Sequence, residues 1–424
     1  MNKKFTKIKE KIKQNKILLI FILVTITRLF YIISFPYNEF QHDVGTVDKQ
    51  LHLGYIYTIY KTGHLPTTNA MEFYHPPLFH FLCATILKIT SFFGLQLSTQ
   101  LELLQYLSVA ISIISLTFMY KIIKKVIKND KYIVLFLLVF SFSPLNIIMS
   151  GAINNDILMI MNFLISMYLL LKWYEESNIK NTILLGIFTG LCVFSKMNGS
   201  LIAIPILYMF IKKFTEKYDK KYIKLFILFC IISLPIGLWY PIRNYILFGQ
   251  KLFYVLTDNL EAVYIGNYSY LKRFFSFSFS QYFDIFAHPF YHDYNIWPYL
   301  IKTSLFDEIL FSGNIVHVFI FFIHTFLILI NMYFIIDYYK AKKHDTYINC
   351  FLITIFFIYL SFFIFNIKYP YACSMNFRYI YVTSVFAWIT SLYQLSKNKN
   401  RKIYIVMRNL VYVFSILSII TVLY

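Results

Sequence analysis

Apolar residues arrive along this chain in blocks of about 18 to 22, the length that crosses a bilayer as a helix. The first block runs from Ile17 to Phe35, directly after a basic stretch that ends at Lys16. Further blocks lie at about 103–120, 132–150, 157–171, 181–195, 199–211, 222–240, 309–335, 348–366, 379–395 and 409–424. They predict an all-α polytopic membrane protein with about 11 transmembrane helices, or 11–13 if two more crossings are hidden in the first loop. The blocks 181–195 and 199–211 are short, so the pattern predicts partial or tilted helices meeting around Lys196, Asn198 and Gly199. No small-residue cleavage site follows the first block, which therefore reads as a retained span rather than a signal peptide. Arg28 falls inside that span and demands a polar partner or a water-filled recess.

Two long segments interrupt the apolar blocks, 36–102 and 240–308, and both are rich in aromatic residues, His and Pro. Within the first, Thr46–Tyr60 suits a helix, and Pro77–Phe93 suits an interfacial helix. Crossing the bilayer there would carry the Lys121–Lys131 cluster to the wrong side. The expected organisation is a basic N-terminus (1–16), a membrane body (17–395) with its two loops, and a link with a final span (396–424).

Composition sharpens this picture. Of the 424 residues 58% are hydrophobic and 14% charged, against about a quarter charged in soluble domains. A soluble enzyme is excluded. The net charge of +20 suggests a polyanion partner until its distribution is read. With the N-terminus inside and the spans alternating, the inward segments hold 27 of the 40 Lys and Arg residues. That asymmetry is the positive-inside signal, and it leaves no continuous basic face for nucleic acid. The five cysteines have no metal-ligand spacing.

The outward positions carry the candidate chemistry. Asp43, in Gln41-His42-Asp43, follows the first span closely and suits a carboxylate that accepts a proton or orients a nucleophile. Asp48 and His52 are spaced to pair on a helix. Glu72 and His75 precede the Pro76-Pro77 break, where His75 serves a phosphate or a metal, or simply caps the next helix. A divalent metal ion is thus a candidate cofactor, though no tight ligand motif is present. Asp156, in Gly151-Ala152-Ile153-Asn154-Asn155-Asp156, sits between apolar blocks, where an acid is expensive unless paired or functional. Helix capping is the plainer reading. Lys196, Arg243 and Arg378 lie at outward membrane edges and suit either snorkelling or a lipid phosphate. His288 and His292, near Trp297, suit a sugar or lipid pocket as well as interfacial anchoring.

In order and sidedness these motifs resemble the GT-C class of polytopic glycosyltransferases, in the bacterial branch of protein mannosyltransferases and the lipid A aminoarabinose transferase. The resemblance rests on His42-Asp43, Tyr74-His75-Pro76-Pro77-Leu78, Gly151–Asp156, Ser195-Lys196-Met197-Asn198-Gly199, Trp239–Asn244 and Asn376-Phe377-Arg378-Tyr379, and covers roughly 15–395. It implies an inverting transfer of one sugar from an undecaprenyl-type phosphate to an extracytoplasmic lipid, protein or envelope acceptor, at the outer face of a bacterial plasma membrane. It also implies catalytic roles for Asp43 and Asp156, donor-phosphate binding by Lys196, Arg243 and Arg378, and supporting roles for His42, Glu72, His75, His288 and His292. Where the aminoarabinose branch has Glu-Lys before the two prolines, this chain has Tyr74-His75. A lipid-linked sugar flippase and a non-catalytic envelope scaffold are the competing readings.

Overall fold

The computed structural model describes residues 2–40, 43–48, 51–68, 72–257, 260–341, 344–398 and 400–423, and the side chains of all of these except 2–14, 291 and 423. Among the described residues the regular structure is helical apart from one isolated β-bridge between Tyr264 and Tyr371: α1 (Asn2–Ser34), α2 (His52–Thr62), α3 (Leu78–Phe92), α4 (Leu97–Val126), α5 (Asp130–Phe142), α6 (Pro144–Ser150), α7 (Asn155–Glu175), α8 (Ile179–Ser195), α9 (Ala203–Lys217) and α10 (Lys221–Phe248). There follow the short α11 (Tyr270–Phe274) and α12 (Phe279–Phe283), then α13 (Ile296–Phe306), α14 (Ile315–Tyr339), α15 (Thr346–Lys368), α16 (Tyr381–Asn398) and α17 (Arg401–Leu423).

The expectation of 11 to 13 transmembrane helices is overturned. Among the described residues seven helices are long and apolar enough to cross a membrane: the 15–34 part of α1, α4, α7, α10, α14, α15 and α17. An eighth is reached only if α5 and α6, bent by 58° at their junction, count as one span. Each discrepancy has a physical cause. Pro144 occupies the first position of α6, where its missing N–H is harmless, and it ends the 132–150 block as a straight helix. The 181–211 region divides into the 17-residue α8, a 3₁₀ turn at Met197–Ile202 and the 15-residue α9. In α16 Thr383, Thr390, Ser391 and Gln394 are buried, so its polar residues face protein and dilute its apolarity. The first-loop helix also begins later than expected, at His52.

Large apolar side chains stay exposed along the spans, among them Ile26 and Ile33 on α1, Ile231 on α10 and Ile364 on α15. Such a surface belongs against lipid. Inside, Trp173 of α7 stacks on Phe210 of α9 with centroids 3.8 Å apart, and its Nε1 donates to Thr182 Oγ1 of α8 at 2.9 Å. Helices α8 and α10 pack so closely that a Cβ on Gly190 would lie 2.6 Å from the Ile236 Cβ. A Cβ on Gly199 would collide with the Cys192 carbonyl. Gly190 thus lets α10 lie against α8, and Gly199 lets the chain fold back sharply after α8, which fixes Lys196 at the turn.

Candidate functional site

Four segments far apart in sequence converge on Arg378. The guanidinium is 5% exposed. Its Nη2 lies 3.3 Å from Asp43 Oδ2, its Nη1 3.5 Å from Asp156 Oδ2 and its Nε 3.6 Å from Asp307 Oδ1. Lys196 Nζ donates to the other oxygen of Asp156 at 2.7 Å and lies 5.2 Å from the Tyr379 ring centroid. Burial alone would lower the Arg378 pKa, but Asp307, Asp43 and Asp156 together push it well above the ordinary value. Three carboxylates thus face two cations.

Local structure explains each position. Asp156 lies in the first turn of α7, where a carboxylate is favoured by the helix dipole. The cap is supplied by Asn154, whose side chain accepts the Asp156 N–H at 2.8 Å, so the Asp156 carboxylate is left for Lys196 and Arg378. Asn376 caps the 3₁₀ turn Phe377–Ile380 by accepting the Arg378 N–H at 2.8 Å, and its amide donates to Asp307 at 2.7 Å and Glu308 at 2.9 Å. Tyr299 donates to Glu308 at 2.8 Å. Asp43 has a left-handed backbone (φ 53°) and a side chain 46% exposed, while Asp156 is 1% exposed. The acids therefore differ in kind: Asp43 is open to a reactant, and Asp156 is locked in an ion-pair network.

A histidine group adjoins this cluster. His52 Nδ1 is 2.9 Å from His80 Nε2, and Glu72 Oε2 is 3.1 Å from His75 Nε2 and 3.7 Å from His52 Nε2. His52 therefore faces Glu72 and His80 rather than the expected Asp48. Tyr55 stacks on His80, and its hydroxyl meets that of Tyr240 at 2.7 Å. Burial lowers the His52 pKa, with Glu72 and Asp43 opposing. For Glu72 burial acts upward, but His75 and His52 outweigh it and the net shift is downward.

A pH dependence of stability follows. His52 binds its proton less tightly folded than unfolded, so stability is lost as pH falls below the unfolded histidine value of about 6.5. Glu72 adds a further loss below about 4.5, where the unfolded carboxyl takes up its proton first. In detergent the melting temperature should fall from pH 7.5 to pH 5, and His52→Gln should flatten that slope.

The remaining candidates lie apart from the Arg378 cluster. Arg243 donates from Nη2 to the Pro66 carbonyl and from Nη1 to Asn244 Oδ1, both at 2.9 Å. His288 pairs with Asp284 at 3.1 Å, and His292 is exposed with φ 64°. His42 lies outside the described residues. Among the described residues no three or more His, Cys, Asp or Glu side chains converge on a common ligation point. The nitrogens of His52 and His80 face each other instead, so the donor set does not fit a metal. Asp307 and Glu308 carry no signal in the sequence beyond their position at a membrane edge, whereas Asn376 and Tyr379 belong to the Asn376-Phe377-Arg378-Tyr379 motif.

The family described as dolichyl-phosphate-mannose-protein mannosyltransferase matches residues 74–239, a stretch that contains Asp156 and Lys196. No curated protein matches the chain by sequence. Among solved structures, the chain is similar to ArnT from Cupriavidus metallidurans bound to undecaprenyl phosphate, with a TM-score of 0.51, 12% identity, and 92% of this chain and 62% of that one covered. It is also similar to the archaeal oligosaccharyltransferase AglB from Archaeoglobus fulgidus in complex with an inhibitory peptide and a dolichol-phosphate, with a TM-score of 0.54, 14% identity, and 96% and 56% covered. The chain therefore spans about three fifths of the length of these structures and shares their membrane fold.

Proposed function

We propose that this chain is a GT-C-type membrane glycosyltransferase that moves one sugar from a polyprenyl phosphate to an acceptor at the membrane face bearing Asp43. The observation that carries the reading is the meeting of Asp43, Asp156 and Asp307 on one buried arginine, with Lys196 beside it, in a fold shared with two carrier-lipid-bound proteins.

Asp43 accepts a hydrogen bond from the acceptor hydroxyl or amine and takes its proton as the nucleophile attacks the anomeric carbon. The bond between that carbon and the phosphate oxygen breaks on the opposite side, so the configuration inverts. Charge grows on the departing phosphate, and the cations Lys196 and Arg378 stabilise it. Asp156 holds both cations in position, so its role is positioning rather than proton transfer. Arg243, bound to a loop carbonyl, serves the shape of the first loop in this reading, where sequence alone suggested phosphate binding. The seven lysines between residues 3 and 16 stand across α1 from Asp43, which supports an outward site and a cytoplasmic N-terminus.

Incubating the purified protein with a panel of polyprenyl-phosphate sugars and envelope acceptors, with mass spectrometry of both, tests the reading. The expected products are free polyprenyl phosphate and a sugar-bearing acceptor. Passage of the intact sugar-lipid across proteoliposomes without bond cleavage would instead establish a flippase, and neither outcome across the panel would leave a scaffold.

A further inference from the structure

Arg28 lies inside the spanning part of α1 and is 3% exposed. Its Nη1 donates to Ser112 Oγ at 2.8 Å, and its Nε is buried without a hydrogen-bond partner. Three other buried cations are neutralised, Lys196 by Asp156, Lys302 by Asp293 at 3.0 Å and Arg378 by its three aspartates, while the buried Arg273 donates to the Asn366 carbonyl at 2.7 Å. Among the described residues no carboxylate pairs with Arg28. An unpaired guanidinium in a low-dielectric interior is expensive, and the structure must offset it somehow.

Arg28 faces a cavity of about 30 Å³, whose polar lining also includes Ser112, Ser115, Asn146, Ser150 and Tyr381. That is room for about two waters. The hydroxyl protons are already spent. Ser112, Ser115 and Ser150 donate to the carbonyls of Val109, Ile111 and Ile147, and Tyr381 donates to Asn146 Oδ1 at 2.5 Å. The lining donors that take no part in these bonds are the Arg28 Nε, buried without a partner, and the Asn146 amide. A chamber with spare donors, one uncompensated positive charge and this volume fits a small anion.

We infer that the chamber binds a halide-sized monovalent anion, chloride in practice, between the Arg28 guanidinium and the Asn146 amide. A phosphate ester with its chain exceeds the space, so this site is separate from that of the carrier. It is nevertheless adjacent: Met149 and Ile157 line both the chamber and the recess at Asp156, Asp307 and Arg378. The anion ties α1 to α4, α6 and α16, and the ends of α1, α6 and α16 lead to Asp43, Asp156 and Arg378. The inference does not depend on sugar transfer.

Thermal unfolding of the full-length protein in detergent tests it, with chloride titrated against gluconate at constant ionic strength. The wild type is expected to show a saturable rise in melting temperature, reproduced by bromide, and Arg28→Gln should abolish the response. Asn146→Ala, which keeps the guanidinium, should shift the titration to higher chloride and serves where the arginine variant does not fold. An absent response in wild type, or equal responses in wild type and both variants, overturns the proposal. So does protection by undecaprenyl phosphate that disappears in Arg28→Gln while chloride has no effect, since the chamber would then take the carrier.

Discussion

Replacing Asp43 by Asn is expected to slow sugar transfer about 10²–10⁴-fold, the range lost when a positioned acid–base group is removed. At about 1.4 kcal/mol per tenfold, this amounts to roughly 3–5 kcal/mol of transition-state stabilisation. Asn is the informative replacement, because the left-handed backbone at φ 53° is one that Asn tolerates and most side chains do not. An alanine there would mix strain with the lost charge. The Asp43 carboxylate is half exposed and 3.3 Å from Arg378, and an ion pair that open to solvent is worth at most about 1 kcal/mol. The melting temperature should therefore stay close to wild type while turnover at saturating donor collapses. A variant that folds normally and transfers at the wild-type rate removes Asp43 from the mechanism.

The residues that make Asp43 a candidate are legible in sequence because charge at the edge of an apolar block stands out. The same contrast marks Asp156, Lys196 and Arg378, and the structure brings all four into one network. Arg243 stands out equally, yet its guanidinium is taken up by Pro66 and Asn244. Nothing local in the sequence distinguishes those two situations. Asp307 also sits at the edge of an apolar block, beside Glu308, and only the fold shows that it reaches Arg378. The spans divide in the same way. Those of α1, α4, α7, α10, α14, α15 and α17 are legible from length and apolarity. Helix α16 reads as a span from its apolar residues. Its Ser391 and Gln394 instead bind the Asn331 carbonyl and Asp337, partners that no window along the chain contains.

Removing the Arg378 guanidinium should do what removing Asp43 does not, and cost both activity and stability. Arg378→Gln takes the guanidinium away from Asp307, which keeps the Asn376 amide, and from Asp156, which keeps Lys196, and these residues are 3% and 1% exposed. Breaking a buried ion pair by deleting one partner typically costs about 3–5 kcal/mol, because the remaining charge stays desolvated. A marked drop in melting temperature is expected alongside complete loss of transfer. Arg378→Lys should recover part of the stability and little of the activity, since a single ammonium cannot reach from Asp43 to Asp156 and Asp307 as three guanidinium nitrogens do. The decisive variant is the double one. Adding Asp307→Asn to Arg378→Gln removes a buried charge, so the pair should melt higher than Arg378→Gln alone although Asp307→Asn by itself should melt below wild type, a coupling that additive effects cannot produce. Transfer should stay absent, because the cation facing the departing phosphate is still missing. If Arg378→Gln melted with the wild type, the ion-pair network would carry no energetic weight. The case for a preorganised charge cluster around the leaving group would then fall with it.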